Sequence, residues 1–268
     1  RFKLCITLLL MGLSGCAGTA SLADKSAKDM GRFLEQYSET YRFRLGRPGS
    51  FQFTPDGEHL LFLRSSSRSN VGNLYELNVN TGRERVLLTA HALLQGKQEE
   101  LSDQEQALRE RLRQAARGIS NFKLSKDGKQ ILISLSGKLY VVQRESKAVI
   151  RLPLGPGSPF DQRFSPNGHY VSYIKAGNVY IFDLKAKKER QLTHCRGEAI
   201  SCGVAEFVAM EEMGRYRGYW WSPDSGSVVF QKTDESKVEI LRILDPIQPE
   251  KAVRKRRYPR PGKTNAVV

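Results

Sequence analysis

The chain is short of the residues on which reactive chemistry usually rests. It holds four cysteines, four histidines and two tryptophans in 268 residues. Cys5 and Cys16 lie in the first sixteen residues, which leaves Cys195 and Cys202 in the body. His194 adjoins Cys195, but one His-Cys and one further Cys, without a second ligand pair, fall short of a structural zinc site. In an oxidising compartment the same stretch, HCRGEAISC, could instead close a small disulfide loop. No G-x-S-x-G segment is present to expose a serine on a strand-to-helix turn. GLSGC (12–16) fails the spacing, and His59, His91, His169 and His194 sit in repeat or insert segments, so none is assignable as a general base. No metal or cofactor motif appears, and none is expected to be bound. Acids are scarce as well, 28 against 43 basic residues, for a net charge of +15. Such an excess raises nucleic acid or an anionic surface as a partner. Here it is scattered. Its densest runs, Arg109, Arg111 and Arg113 and then Arg254-Lys255-Arg256-Arg257, lack interleaved aromatics to stack bases, so no nucleic-acid partner is expected.

What is present begins with RFKLCITLLLMGLSGC (1–16), a basic start, an apolar run from Leu4 to Leu13 and small residues ending in cysteine. It reads as an export signal over 1–15, too short to span a bilayer in comfort. LSGC looks like a lipobox, which makes Cys16 a lipidated N-terminus and that lipid the only membrane contact. Ala17, rather than aspartate, follows, which favours the outer membrane over simple periplasmic residence. An ordinary signal cleaved near Ala20 is the alternative. Arg1 is no initiator methionine, so the leader is expected to be clipped. Residues 16–44 follow as a tether and helical lead-in. The remainder, at 40% hydrophobic and 26% charged for the whole chain, has material for a globular core.

Four segments are variants of one unit: FTPDGEHLLFL (53–63), LSKDGKQILIS (124–134), FSPNGHYVSYI (164–174) and WSPDSGSVVFQ (221–231). Each reads as a Ser/Thr-x-Asp/Asn-Gly turn followed by an alternating strand, with glycine, one place later in the fourth copy, supplying positive φ. After three of them come NLYELNVNTGRERVLLT (73–89), GKLYVVQRESKAVIRL (137–152) and GNVYIFDLKAKKERQLT (177–193), each two further strands joined by a hairpin. Four short antiparallel strands per repeat define a propeller blade, which must stack on neighbours to bury its faces. A β-sandwich would not repeat its own sequence. The expected fold is therefore all-β, an incomplete β-propeller of about four blades over 45–268.

Two insertions break the spacing. Residues 90–120 contain LSDQEQALRERLRQAARG, read as a helical arm with a Ser102/Glu105 capping box, an apolar stripe of Leu101, Leu108, Leu112 and Ala115, and Gly118 to end it. Residues 194–219 contain AEFVAMEEM, a short helical piece bearing Glu211 and Glu212 side by side. Adjacent acids repel, so the pair either stands in water or awaits a cation. On an insertion that the strands do not need, binding is the better explanation.

EFVAMEEMGRYRGYWWSPD (206–224) resembles the double-glutamate region of the dipeptidyl peptidase IV family, in the prolyl oligopeptidase group of serine peptidases. The arm sequence resembles an insertion of bacterial members, and RYPRPGKTNAVV (257–268) the strand that follows the family's fourth blade. The resemblance covers about residue 40 to the end. It implies an eight-bladed ring covering an α/β-hydrolase domain that removes X-Pro or X-Ala dipeptides from free peptide N-termini. By the same resemblance Glu211 and Glu212 grip the substrate's α-ammonium, and an arm arginine, Arg109 or Arg111 with Arg113 behind them, contacts the peptide carbonyl. Tyr216, Tyr219 and Trp220 could support that shelf. Since no catalytic triad is present, the chain is expected to be the N-terminal part of a longer enzyme, inactive alone, whose partners are peptide substrates, the missing hydrolase domain and, in the full-length protein, a second copy as a homodimer. The competing reading is a non-catalytic periplasmic scaffold propeller.

The lipobox gives the first prediction. The full-length protein should incorporate labelled palmitate and Cys16→Ala should abolish it, whereas equal labelling of both forms would remove the anchor.

Overall fold

A blade strand that is covered on both faces has no polar side, and the second strand of each repeat is written accordingly: HLLFLR, QILISL and YVSYIK have runs of buried residues rather than strict alternation. The structure, a computed structural model, describes residues 29–101, 106, 109–110, 116–247, 249–250 and 252–268. The leader and Cys16 lie outside them, as do Ser102, Glu105, Leu108, Arg111, Leu112, Arg113 and Ala115. A helix over 29–39 leads into three four-stranded antiparallel sheets, each meandering in sequence order. The first comprises β1 (Gly49–Phe53), β2 (His59–Arg64), β3 (Val71–Asn78) and β4 (Glu84–Leu88); the second β6 (Phe122–Leu124), β7 (Gln130–Leu135), β8 (Lys138–Gln143) and β9 (Val149–Arg151); the third β10 (Phe160–Phe164), β11 (Tyr170–Lys175), β12 (Asn178–Asp183) and β13 (Lys188–Gln191). The fold is a partial propeller, as the repeats indicated. No helix among the described residues is long and apolar enough to cross a membrane.

The turn that opens each repeat has one geometry. The hydroxyl of Thr54, Ser125, Ser165 or Ser222 donates to the carboxyl or amide oxygen two residues on, at 2.5, 2.6, 2.7 and 2.5 Å. Those hydroxyls are the main reason the Asp56, Asp127 and Asp224 carboxyls sit below the usual aspartate range. Gly57, Gly128 and Gly168 take the positive φ of the turn, near +75° in each case. In the fourth copy it is Ser225, at φ +63°, and not Gly226, that occupies this place. The reason is the count of residues from the hydroxyl: Ser225 N donates to Ser222 O at 2.9 Å, as the glycines do in the other copies.

Between the arm's two ends the chain adds a small surprise. A helix at Ala90–Leu94, capped by Thr89, begins the insertion, and β5 (Arg117–Gly118) closes it by pairing parallel to the start of β3. Gly118 therefore ends no helix. It lies in β5 at φ +70°, where a Cβ would meet Val71 Cγ1 at 2.7 Å and Gly72 O at 2.9 Å.

Packing between blades supplies the core. Leu61, Leu74, Ile131 and Ile133 join blades one and two; Leu132, Val141, Tyr173 and Phe182 join two and three; Ile174, Val179 and Tyr219 join three and four. One polar staple crosses the first of these seams. Glu76 on β3, almost fully buried, accepts from Arg144 of the second blade at 2.9 Å and from Arg85 Nε at 2.6 Å, while Arg144 Nε donates to Gly128 O at 3.0 Å. Removing one member of a buried ion pair strands the other charge. Glu76→Ala is expected to cost about 3–5 kcal/mol in urea unfolding, whereas Glu84→Ala, whose partner Arg64 is partly solvated, should cost at most about 1 kcal/mol.

Candidate functional site: the double-glutamate excursion

The fourth repeat is where the regular plan is broken, and the break builds the site. Residues 228–234 form one extended segment, β16 (Val228–Phe230) and β17 (Lys232–Asp234), separated by Gln231. Its partner on one side is not a single strand. β14 (Ile200–Cys202) pairs with β17 and β15 (Tyr219–Trp221) pairs with β16, both antiparallel. Residues 203–218 are thus an excursion from a strand position, leaving at Gly203, whose N–H donates to Gln231 O at 2.7 Å, and returning at Gly218, whose carbonyl accepts from Gln231 N at 2.8 Å. The neck admits no side chains. A Cβ on Gly218 would lie 2.5 Å from the Gly203 carbonyl carbon, and one on Gly203 would lie 2.5 Å from Val179 Cγ2.

At the far side of the excursion stands a helix, Phe207–Glu211, with Glu206 as N-cap and Glu212 as C-cap. Glu211 and Glu212 are both at the surface. They occupy the helix's C-terminal end, where the negative pole of the helix adds to two adjacent carboxylates, a place suited to a cation. The N-cap is doubly used: Glu206 Oε1 accepts from Ala209 N at 3.0 Å and Oε2 from Arg215 at 3.1 Å. Arg215 also donates to Gln231 Oε1 at 2.7 Å and to Arg217 O at 2.8 Å.

The last hairpin brings the two insertions to one place. β18 (Ile240–Ile243) pairs with β19 (Arg254–Arg257), and just beyond it Tyr258 packs on Phe207 of the helix with ring centroids 4.6 Å apart. Two residues earlier, Arg256 reaches Glu110 of the arm at 3.6 Å. Of the arm arginines, Arg109 is buried at the arm's root, donating to Glu99 at 2.6 Å and to Ala116 O at 3.0 Å, while Glu99 also accepts from Gly118 N at 2.7 Å. Arg109 thus braces the arm through its guanidinium. Arg111 lies outside the described residues. Cys195 and Cys202 are joined in a disulfide at the foot of the excursion, so they offer no thiolate pair to a metal. Asn178 holds the loop by accepting from Cys195 N at 2.7 Å.

Tyr219, next to the neck, is core and not shelf: it is fully buried and its hydroxyl donates to Asp161 O at 2.6 Å. Tyr216 is exposed and Trp220 half-buried. Asp161 sits in a bulge of β10 at φ +50°, ion-paired with Arg163. Burial pushes its carboxyl up to about 6, against the opposing pull of Arg163, Arg217 and Lys123. No motif singles out Glu206, Arg215, Gln231, Arg256 or Tyr258 for a place in this site. Each is an ordinary polar or aromatic residue until strand pairing assembles them.

With the geometry in place, relatives can be compared. Residues 125–268, more than half the chain, match the family model described as the dipeptidyl peptidase IV (DPP IV) N-terminal region, and the chain belongs to that family. Among individual proteins, human dipeptidyl peptidase 8 is 27% identical over 262 residues, covering 82% of this chain and 29% of its own length. Dipeptidyl aminopeptidase B of Saccharomyces cerevisiae is 32% identical over 108 residues, covering 38% of this chain and 13% of its own. The crystal structure of Porphyromonas gingivalis dipeptidyl peptidase 4 matches with a TM-score of 0.63 at 20% identity, over 87% of this chain and 32% of that one, a likeness of fold. The chain spans under a third of the length of those relatives.

Asp161 sets a pH dependence. Its folded pKa lies above the ordinary value of 3.8, so the folded state holds a proton that the unfolded state has lost, and stability falls as pH rises from about 4 to about 6. Relative to wild type, Asp161→Asn should gain about 3 kcal/mol across that window in urea melts. Parallel pH profiles of the two proteins would contradict the assignment.

Proposed function

We propose that this chain is the substrate-anchoring half-ring of a serine-type dipeptidyl peptidase that removes X-Pro or X-Ala dipeptides from free peptide N-termini, with Glu211 and Glu212 holding the α-ammonium group. The observation that carries the reading is the placement of two surface carboxylates together at the C-terminal end of a short helix carried on an excursion that the blade itself does not require. An exopeptidase must recognise a charge that every internal peptide bond lacks. Paired carboxylates supply charge-assisted bonds to a three-donor ammonium, and their mutual repulsion falls when the cation enters. Their fixed distance from the reacting centre would then set the cleavage position at the second residue.

An arm arginine completes the reading by contacting the peptide carbonyl. Arg111 suits this better than Arg109, whose guanidinium is turned into the arm root. The nucleophile, its base and the remaining blades would come from sequence beyond this portion. Exposed Val229, Phe230, Ile240, Ile243 and Leu244 on the fourth unit provide apolar surface for such blades. The lipobox supports an exported, periplasmic or outer-membrane-anchored protein.

In the full-length enzyme, Glu211→Gln and Glu212→Gln should each lose ten- to a hundredfold in kcat/KM on a dipeptidyl chromogenic amide. This follows from about 1.5–3 kcal/mol for a hydrogen bond to a charged group. Both should melt like wild type and react normally with a fluorophosphonate. The substrate amine, with a reference pKa of about 7.7–8.0, should appear as a falling alkaline limb in wild type and weaken in the variants. Equal cleavage of N-acylated and free substrates by wild type would overturn the reading.

A further inference from the structure

A five-residue helix does not hold its own direction. Nucleation consumes most of what so few hydrogen bonds return, so Phe207–Glu211 depends on its surroundings for orientation. Ala209 is its one fully buried residue, the neck is two glycines, and Met213 and Gly214 beyond Glu212 are exposed. Tyr258 of the last hairpin packs on Phe207, and Arg215 on the returning leg ties the helix to the blade.

We propose that Arg215 is the positioning residue of the double-glutamate shelf, acting on substrate only through Glu211 and Glu212; the inference rests on the amine-binding reading above. Four contacts define the role. Its backbone N–H donates to Ala209 O at 2.8 Å, joining the return leg to the helix. Its guanidinium donates to Glu206 Oε2, the same carboxylate that caps the helix N-terminus through its other oxygen. It donates to Gln231 Oε1 in the long blade segment, and to Arg217 O three residues before Trp220. Gln231 closes the circle, with Nε2 on Glu206 Oε2 at 3.0 Å and its backbone pairing with both neck glycines. The guanidinium's planar fork thus references the start of the helix, the return leg and the blade to one another. Lysine, a single point donor on a flexible stem, can satisfy only part of that set.

Glu211 lies at the other end of the same helix, so a tilt permitted at Glu206 displaces the carboxylates from the ammonium they must meet. Misplacement by about 1 Å is enough to cost on the order of a hundredfold in rate. The loss should therefore be specific to substrates held by their amine.

The test uses the full-length enzyme and a double-mutant cycle. Arg215→Gln should lower kcat/KM on a free-amine dipeptidyl chromogenic amide at least tenfold, chiefly through KM, with Arg215→Lys intermediate and fluorophosphonate labelling unchanged. In the Glu211→Gln/Glu212→Gln background, adding Arg215→Gln should produce no further loss, because there is no grip left to misalign. Hydrogen exchange should quicken across 203–218 and stay unchanged in the second and third blades. If Arg215→Gln does not fold, the same cycle is run with Arg215→Lys. Wild-type activity in the arginine variants, or losses that add fully to those of the double-glutamine variant, would overturn the positioning role while leaving the glutamate grip standing. Wild-type activity in the double-glutamine variant would overturn both.

Discussion

A four-stranded blade has two apolar faces and no means of covering either, and everything else in this chain follows from that constraint. Neighbouring sheets must press together, so the second strands carry runs of buried residues, and the cores lie at the seams, from Leu61 and Ile133 at the first to Ile174 and Tyr219 at the third. The repeated hydroxyl-to-carboxyl turn fixes where each strand starts, and with it which residues enter the seam. A slip of one residue would send each side chain to the opposite face of its blade, and so into the wrong seam. Buried charge ties two sheets together where Glu76 meets Arg144.

Against that economy the two insertions stand out: they touch the seams near their ends, through Ala90, Leu93 and Ile119 in the first and Val204 and Tyr219 in the second, and run outside the blades between. They leave the ring at different blades and meet at one hairpin, where Arg256 faces the arm and Tyr258 faces the double-glutamate helix. Alternation along an extended chain puts residues two apart on the same side, so a single short stretch can address both insertions. The arrangement gathers polar elements on a scaffold whose own residues are committed to stacking.

The repeats, the blade count and the position of the glutamate pair were legible in the sequence because each is a local pattern: a turn, an alternation, two adjacent acids. Local patterns also misled. Gly226 looked like the turn residue of the fourth copy, yet the hydroxyl at Ser222 counts three places on to Ser225. Gly118 looked like a helix end and is instead a close approach between β5 and β3. Arg109, one of the arm arginines offered by the resemblance, has its guanidinium buried on Glu99. The Glu206–Arg215–Gln231 set was invisible for a different reason. Gln231 joins the other two only through the pairing of the long segment with the ends of an excursion, a register that no stretch of sequence displays.

That excursion begins and ends on the two sides of one residue, Gln231, so the blade sees the same strand whatever lies between Gly203 and Gly218. Lengthening a closed loop adds only a slowly growing entropic cost, about 0.6 kcal/mol per doubling. The neck is therefore a socket: segments of different length and chemistry could be exchanged there while the ring keeps its geometry, and the tip of the excursion can drift in sequence without drawing on the stability of the fold that carries it.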